Sequence, residues 1–154
     1  MNIDSRSDFS QPATADEQVV ALKVLGACTH RYWSEFTDRR DDRIIVCSDC
    51  KEEFKFRDGL FGQTEPLFSP SDFLLRFVPH ASQDELLAAT VLRRIESAGW
   101  ISMLRTAPEG YVQFLTNNGV RFASSASHST KAAAICDVAA QLCRSGRMKP
   151  IEFS

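Results

Sequence analysis

The sequence predicts an α+β chain in two units: a small ribbon-like unit, followed by an α-β-β-β-α sandwich with a three-stranded antiparallel sheet. Three observations carry this. Cys28-Thr-His30 and Cys47-Ser-Asp-Cys50 sit on either side of short strand-like stretches. Two segments open with the S/T-x-x-E pattern of a helix start, at Thr14 and at Ser82. Between residues 100 and 125, three alternating stretches are separated by Pro108-Glu109-Gly110 and Asn117-Asn118-Gly119, residues that favour hairpin turns.

Taken in order, residues 1–13 are polar and aperiodic, and read as a mobile tail. A unit over 14–57 begins with a helix capped by Thr14 and Glu17, with Val19, Leu22 and Val20 or Leu25 inward, stopped by Gly26. A strand around Arg31 to Thr37, a polar turn, a strand over Arg43 to Val46 and another over Glu52 to Phe56 complete it. Residues 58–81, with Gly59, Gly62, Pro66 and Pro70, read as a linker holding a short helix at Asp72 to Phe77. The sandwich spans 82–146. Its first helix places Leu87, Ala88, Val91, Leu92 and Ile95 at helical spacing and ends at Gly99. In the strands, alternation groups Ile101 with Met103, Val112 with Phe114 and Val120 with Phe122. An Ala-rich helix from about Ser129 to Arg144 closes the unit, and the two helices are expected side by side across one sheet face. Residues 147–154 form a C-terminal tail.

The cysteines suggest the chemistry. Five cysteines without a signal peptide point to a reducing cytoplasm, not to a disulfide framework. Cys28, His30, Cys47 and Cys50 form a Cys3His set, the soft and borderline donors that tetrahedral Zn2+ prefers. A redox C-x-x-C would open a helix, whereas this pair is followed by the strand-like alternation Glu52-Glu53-Phe54-Lys55-Phe56. Four protein ligands leave no open position for a catalytic water, so the expected zinc is structural. Cys136 and Cys143 lie on the apolar stripe of the last helix and read as core thiols.

Charge and length exclude several classes. The chain of 154 residues carries 18 basic and 20 acidic side chains, and no apolar run is long enough to cross a bilayer. Residues 28–57 hold seven basic and seven acidic residues, so the ribbon is neutral and bulk electrostatic attraction to nucleic acid is weak. Phosphate-loop, dinucleotide-binding, zincin and nucleophile-elbow patterns are missing from the sequence. Of the remaining histidines, His80 follows Pro79 in a loop, and His128 precedes a helix start, where a polar cap is expected. Eleven Phe residues, six of them between Phe54 and Phe77, read as glue between the two units or as an interface anchor.

Two stretches carry a family resemblance. Cys28-Thr29-His30-Arg31-Tyr32-Trp33, followed by Cys47-Ser48-Asp49-Cys50, resembles the zinc-binding segment of many phage-encoded proteins. Ile95-Glu96-Ser97-Ala98-Gly99-Trp100, leading into strands and closed by Ala132-Ala133-Ala134-Ile135-Cys136, is similar to the phage ABA sandwich domain. The resemblance implies a phage or prophage origin, an α/β sandwich and a zinc site, but no activity. The resulting expectation is a non-enzymatic accessory protein of the bacterial cytoplasm that binds a host protein or ribonucleoprotein complex, as anti-CRISPR inhibitors of defence do. The alternative is nucleic-acid binding by the ribbon or the sandwich. A homodimer is a further option, because sheet edges pair readily.

Overall fold

The computed structural model describes residues 11–40, 43–56, 70–148 and 151, and the fold is α+β with two antiparallel three-stranded sheets. Its elements are α1 (Ala15–Lys23), β1 (Trp33–Thr37), β2 (Arg43–Cys47), β3 (Glu53–Phe56), α2 (Pro70–Leu74) with a 3-10 turn at Leu75–Phe77, α3 (Glu85–Ser97), β4 (Ile101–Ala107), β5 (Gly110–Asn117), β6 (Val120–Ser124) and α4 (Lys131–Ser145). Half of the expected linker, the first ten residues of the N-terminal tail and most of the C-terminal tail lie outside the described residues.

Contacts divide the chain into two compact units. One holds Cys28–Val78 together with the residues up to Ala13, and the other joins Thr14–Ala27 to the chain from Pro79 onward. The division differs from a boundary at residue 58, because α1 packs on α4 and so belongs with the sandwich.

In the first unit, β1, β2 and β3 form an antiparallel meander, with Trp33 opposite Cys47 and Ile45 opposite Phe54. Its core is small: Ile45, Phe54 and Leu74 are fully buried, with Trp33, Phe73 and Phe77 packed around them. The short helix within the expected linker thus supplies part of the core. Phe54, Phe73 and Phe77 pack with one another, at ring-centroid distances of 5.0 and 5.4 Å, within this one unit. Phe61 and Phe68 lie outside the described residues. Ala13, assigned to the tail from sequence, is buried, and its N–H donates to the Leu75 carbonyl at 3.0 Å.

In the second unit, α1 begins with the expected capping box. The Glu17 N–H donates to Thr14 Oγ1 and the Thr14 N–H to Glu17 Oε1, an arrangement that contributes about 1 kcal/mol. Val20, Ala21 and Val24 are buried, whereas Leu22, expected inward, is 53% exposed. The second box is replaced by a different cap. Asp84 caps α3 by accepting from the N–H groups of Leu86 and Leu87, and Ser82 instead donates its hydroxyl to Glu17 Oε2 at 2.7 Å. Both Ser82 and Asp84 are good N-caps, and the buried Glu17 carboxylate claims the first of them.

The sheet β4-β5-β6 carries α4 on β5 and β6, and α1 and α3 flank α4. Two helices lying side by side on the sheet were expected. An Ala-rich helix allows close approach on several sides, and nine of the fifteen α4 residues are buried, Cys136 and Cys143 among them. Burial pushes these two thiols up to about 12 and about 11, as suits core residues. Met103 is opposite Phe114, and the helix-covered side is that of Leu115 and Ala123, which lie in the core. A β-bulge between Leu115 and Thr116 shifts the β6 register, so Thr116 pairs with Arg121 and Leu115 with Ala123, leaving Phe122 as the extra residue.

Two glycines are needed where hairpins turn. Asn118 and Gly119 have φ of +54° and +77° between the paired residues Asn117 and Val120, the geometry Asn-Gly hairpin turns favour. Gly110, at φ +139°, lets the backbone of His128 approach so closely that an added Cβ would lie 2.2 Å from its carbonyl oxygen. Gly110→Ala is therefore expected to destabilise the protein by at least about 2 kcal/mol, and Gly119→Ala by about 1 kcal/mol, in urea unfolding. Equal costs would contradict the close-approach account.

Candidate metal centre

Cys28, His30, Cys47 and Cys50 converge, and their ligand atoms all lie within 4.8 Å of one another. Each pair is positioned by a local turn. Cys47 ends β2, and its carbonyl accepts from the Lys51 N–H at 3.0 Å while its N–H donates to the Glu52 carbonyl. Lys51 at φ +64° closes this knuckle, bringing Cys50 back toward Cys47. The first pair is two residues apart, a spacing that puts side chains on one side of an extended backbone. His30 departs from extended backbone by adopting φ +51°, at a cost of roughly 1–2 kcal/mol, and its N–H donates to Cys28 Sγ at 3.3 Å. Ser48 N–H donates to the Tyr32 carbonyl at 2.8 Å, tying the knuckle to the loop that carries the first pair.

Sulfur and nitrogen atoms then meet at close range. Cys28 Sγ is 3.5 Å from Cys47 Sγ, and Cys50 Sγ is 3.6 Å from His30 Nδ1. The imidazole is buried and stands edge-on to Phe54, with centroids 5.3 Å apart, so the site joins the unit's core directly. Glu52, which the sequence reading did not place at the site, has Oε2 3.9 Å from His30 Nε2. A carboxylate on the far nitrogen fixes ring orientation and raises the basicity of the near one. The signal was available: Glu52 follows the knuckle at the point where the chain doubles back.

The thiols differ in acidity. Burial pushes Cys28 up to about 11 and also raises Cys50. Burial acts in the same sense on Cys47, but the backbone N–H groups of Cys50 and Asp49 and the neighbouring thiols outweigh it, and its value falls below the ordinary one. Three sulfurs and one imidazole nitrogen in this arrangement are compatible with a metal site.

The other histidines lie elsewhere. His80 is buried, and its carbonyl accepts from the Gln83 N–H. His128 does not cap α4; Thr130 does, accepting from the Ala133 N–H. His128 instead exchanges both backbone hydrogen bonds with Tyr111 and places Nε2 2.7 Å from Asp137 Oδ2. Asp137 also accepts from the Ala126 N–H and from Gln141 Nε2, which in turn donates to the Ser124 carbonyl. This group pins the β6–α4 loop to α4.

The chain matches no protein-family model, no curated protein and no solved structure. No helix among the described residues is long and apolar enough to cross a membrane.

Burial acts to raise the Asp137 carboxyl, but hydrogen bonds from His128, Gln141 and Ala126 outweigh it and hold it below the usual value. A depressed folded-state value adds stability above the unfolded value of about 3.9, and that stability is lost as pH falls through the folded value. Asp137→Asn is expected to cost about 1–2 kcal/mol at pH 6 and markedly less near pH 2, measured by denaturant unfolding. A cost independent of pH would contradict this assignment.

Proposed function

We propose that Cys28, His30, Cys47 and Cys50 hold a structural Zn2+ and that the protein is a non-enzymatic binding protein whose first unit depends on that ion. The observation that carries the reading is the convergence of four donors of the type zinc prefers. Bond lengths of about 2.0–2.3 Å in a tetrahedral shell put neighbouring ligand atoms roughly 3.5–4 Å apart, and the closest pairs here lie at 3.5 and 3.6 Å. A shell filled by protein supports a folding role over a catalytic one. Among the described residues the unit's apolar cluster centres on just Ile45, Phe54 and Leu74, a small core of its own, so ion binding supplies folding free energy.

The partner we propose is a macromolecular complex of a bacterial host, in keeping with the phage-like motifs around Cys28 and Trp100. An exposed strand supports a binding role. On β4, Ile101, Met103 and Leu104 are 58, 50 and 42% exposed, and among the described residues no strand pairs with its outer edge. Apolar side chains on an unpaired edge mark interaction surfaces. A second reading, nucleic-acid binding, is favoured by an arginine-lined cleft on the second unit.

Protein purified without added metal is expected to carry one Zn2+ per chain by native mass spectrometry, and Cys47→Ser to carry none while retaining the second unit. Full metal-free folding of the first unit in Cys47→Ser would overturn the zinc reading. In nuclease-treated bacterial lysate, the wild-type chain is expected to retain a stoichiometric protein partner that Met103→Glu loses. Retention by both proteins would remove β4 from the interface, and loss of all partners on nuclease treatment would favour nucleic acid.

A further inference from the structure

A cleft of about 600 Å3 on the second unit is lined by Trp100, Asn117, Asn118, Arg121, Phe122 and Arg147. Two guanidinium groups and two side-chain amides border it, and no carboxylate does. The arginines are set in place by packing against rings. Arg121 lies 4.2 Å from the Phe114 ring centroid, and Arg147 lies 4.7 Å from that of Phe122. Phe122 in turn packs against the buried Trp100, with centroids 5.2 Å apart. Neither arginine forms an ion pair with a described residue, so both charges are available to a ligand.

Backbone devices bring these residues together. The bulge in β6 sets Arg121 over Phe114, and it leaves Phe122 free to reach Trp100. Bulges commonly re-aim side chains beside functional sites. The Asn118-Gly119 turn presents the two asparagines at the same end of the sheet. At the end of α4, Gly146 at φ +71° reverses the chain, and Met148 and Ile151 pack back onto the core, carrying Arg147 across the ring of Phe122.

We propose that this cleft binds the phosphate of a nucleotide, either free or within a single strand. Guanidinium groups recognise phosphate through several N–H donors at once, and stacking on rings restricts them beforehand, so less entropy is lost on binding. The exposed guanidinium planes offer a stacking surface for a base, and the asparagine amides offer donors and acceptors to its edge or to the sugar. The net charge of −2 does not oppose this, because the favourable field is local to an edge without carboxylates. The cleft lies wholly in the second unit, so its failure as a site and the failure of the zinc reading are separate results.

The test is fluorescence anisotropy of a labelled short thymidine oligonucleotide with the full chain, across a salt series, with thymidine monophosphate as competitor. Arg121→Gln and Arg147→Gln are each expected to weaken binding roughly tenfold and to reduce the salt slope by about 1. Arg105→Gln, on exposed β4, serves as the control and is expected to leave binding unchanged, and thermal unfolding is expected to show all three variants folded. Competition by the monophosphate at concentrations close to the oligonucleotide's own dissociation constant assigns the site to free nucleotides; much weaker competition assigns it to a strand. The proposal is overturned if neither probe binds at low salt, or if Arg105→Gln weakens binding as much as the cleft variants do.

Discussion

The convergence of four donor atoms, Cys28, His30, Cys47 and Cys50, is the constraint around which the first unit is organised. Among the described residues, the three short strands and the helix after them bury few large apolar side chains completely, Ile45, Phe54 and Leu74 among them. Apolar burial on that scale offsets little of the conformational entropy lost on ordering the chain, which costs roughly 1–2 kcal/mol per residue for the backbone alone. His30 lies against Phe54, and Cys47 ends the central strand opposite Trp33, so an ion held by the proposed site would cross-link the core itself. The left-handed backbone at His30 and Lys51 fits the same picture: local strain persists where surrounding structure over-determines it.

The second unit solves its stability problem differently. It builds a core from an Ala-rich helix on a sheet, with two further helices against that helix, and fixes its loops with polar clamps. Glu17 joins the start of α1 to Ser82, and Asp137 joins α4 to the loop after β6. Removing a carboxylate from water is costly unless it is hydrogen-bonded, and both buried Glu17 and half-buried Asp137 accept more than one bond. The consequence is an exposed β4, whose apolar side chains the helices leave uncovered. The two surfaces proposed for binding lie at the margins: an open edge at β4, and an arginine-lined cleft where β5, β6 and the end of α4 meet.

Short-range signals were legible in the sequence. The Thr14–Glu17 box, the Asn118-Gly119 turn and the C-x-x-C knuckle each depend on residues within four positions of one another, and each stands where the sequence placed it. The pairing of Cys28 and His30 with that knuckle was legible because zinc prefers sulfur and imidazole donors and the chain supplies no nearer cysteine or histidine. What failed needed tertiary information. Ser82 and Asp84 are equivalent caps by type, and only the position of buried Glu17 separates them. Alternation cannot foresee a bulge, so the shifted register of β6 that makes Phe122 the extra residue was not legible. Arg121 and Arg147 are distant in sequence and share no motif; only the turn at Gly146 brings them to one cleft.

One measurement tests the central claim directly, because each unit contains one of the two tryptophans. Trp33 donates its indole N–H to Ser71 in the first unit, and Trp100 is buried in the second. Two-dimensional 15N–1H NMR, recorded before and after removal of metal with a strong chelator, resolves both indole signals. The account predicts that the Trp33 signal collapses to its unfolded position while that of Trp100 stays, and that adding Zn2+ restores the first. A Trp33 signal unmoved by complete metal removal would contradict the claim that an ion holds the first unit together.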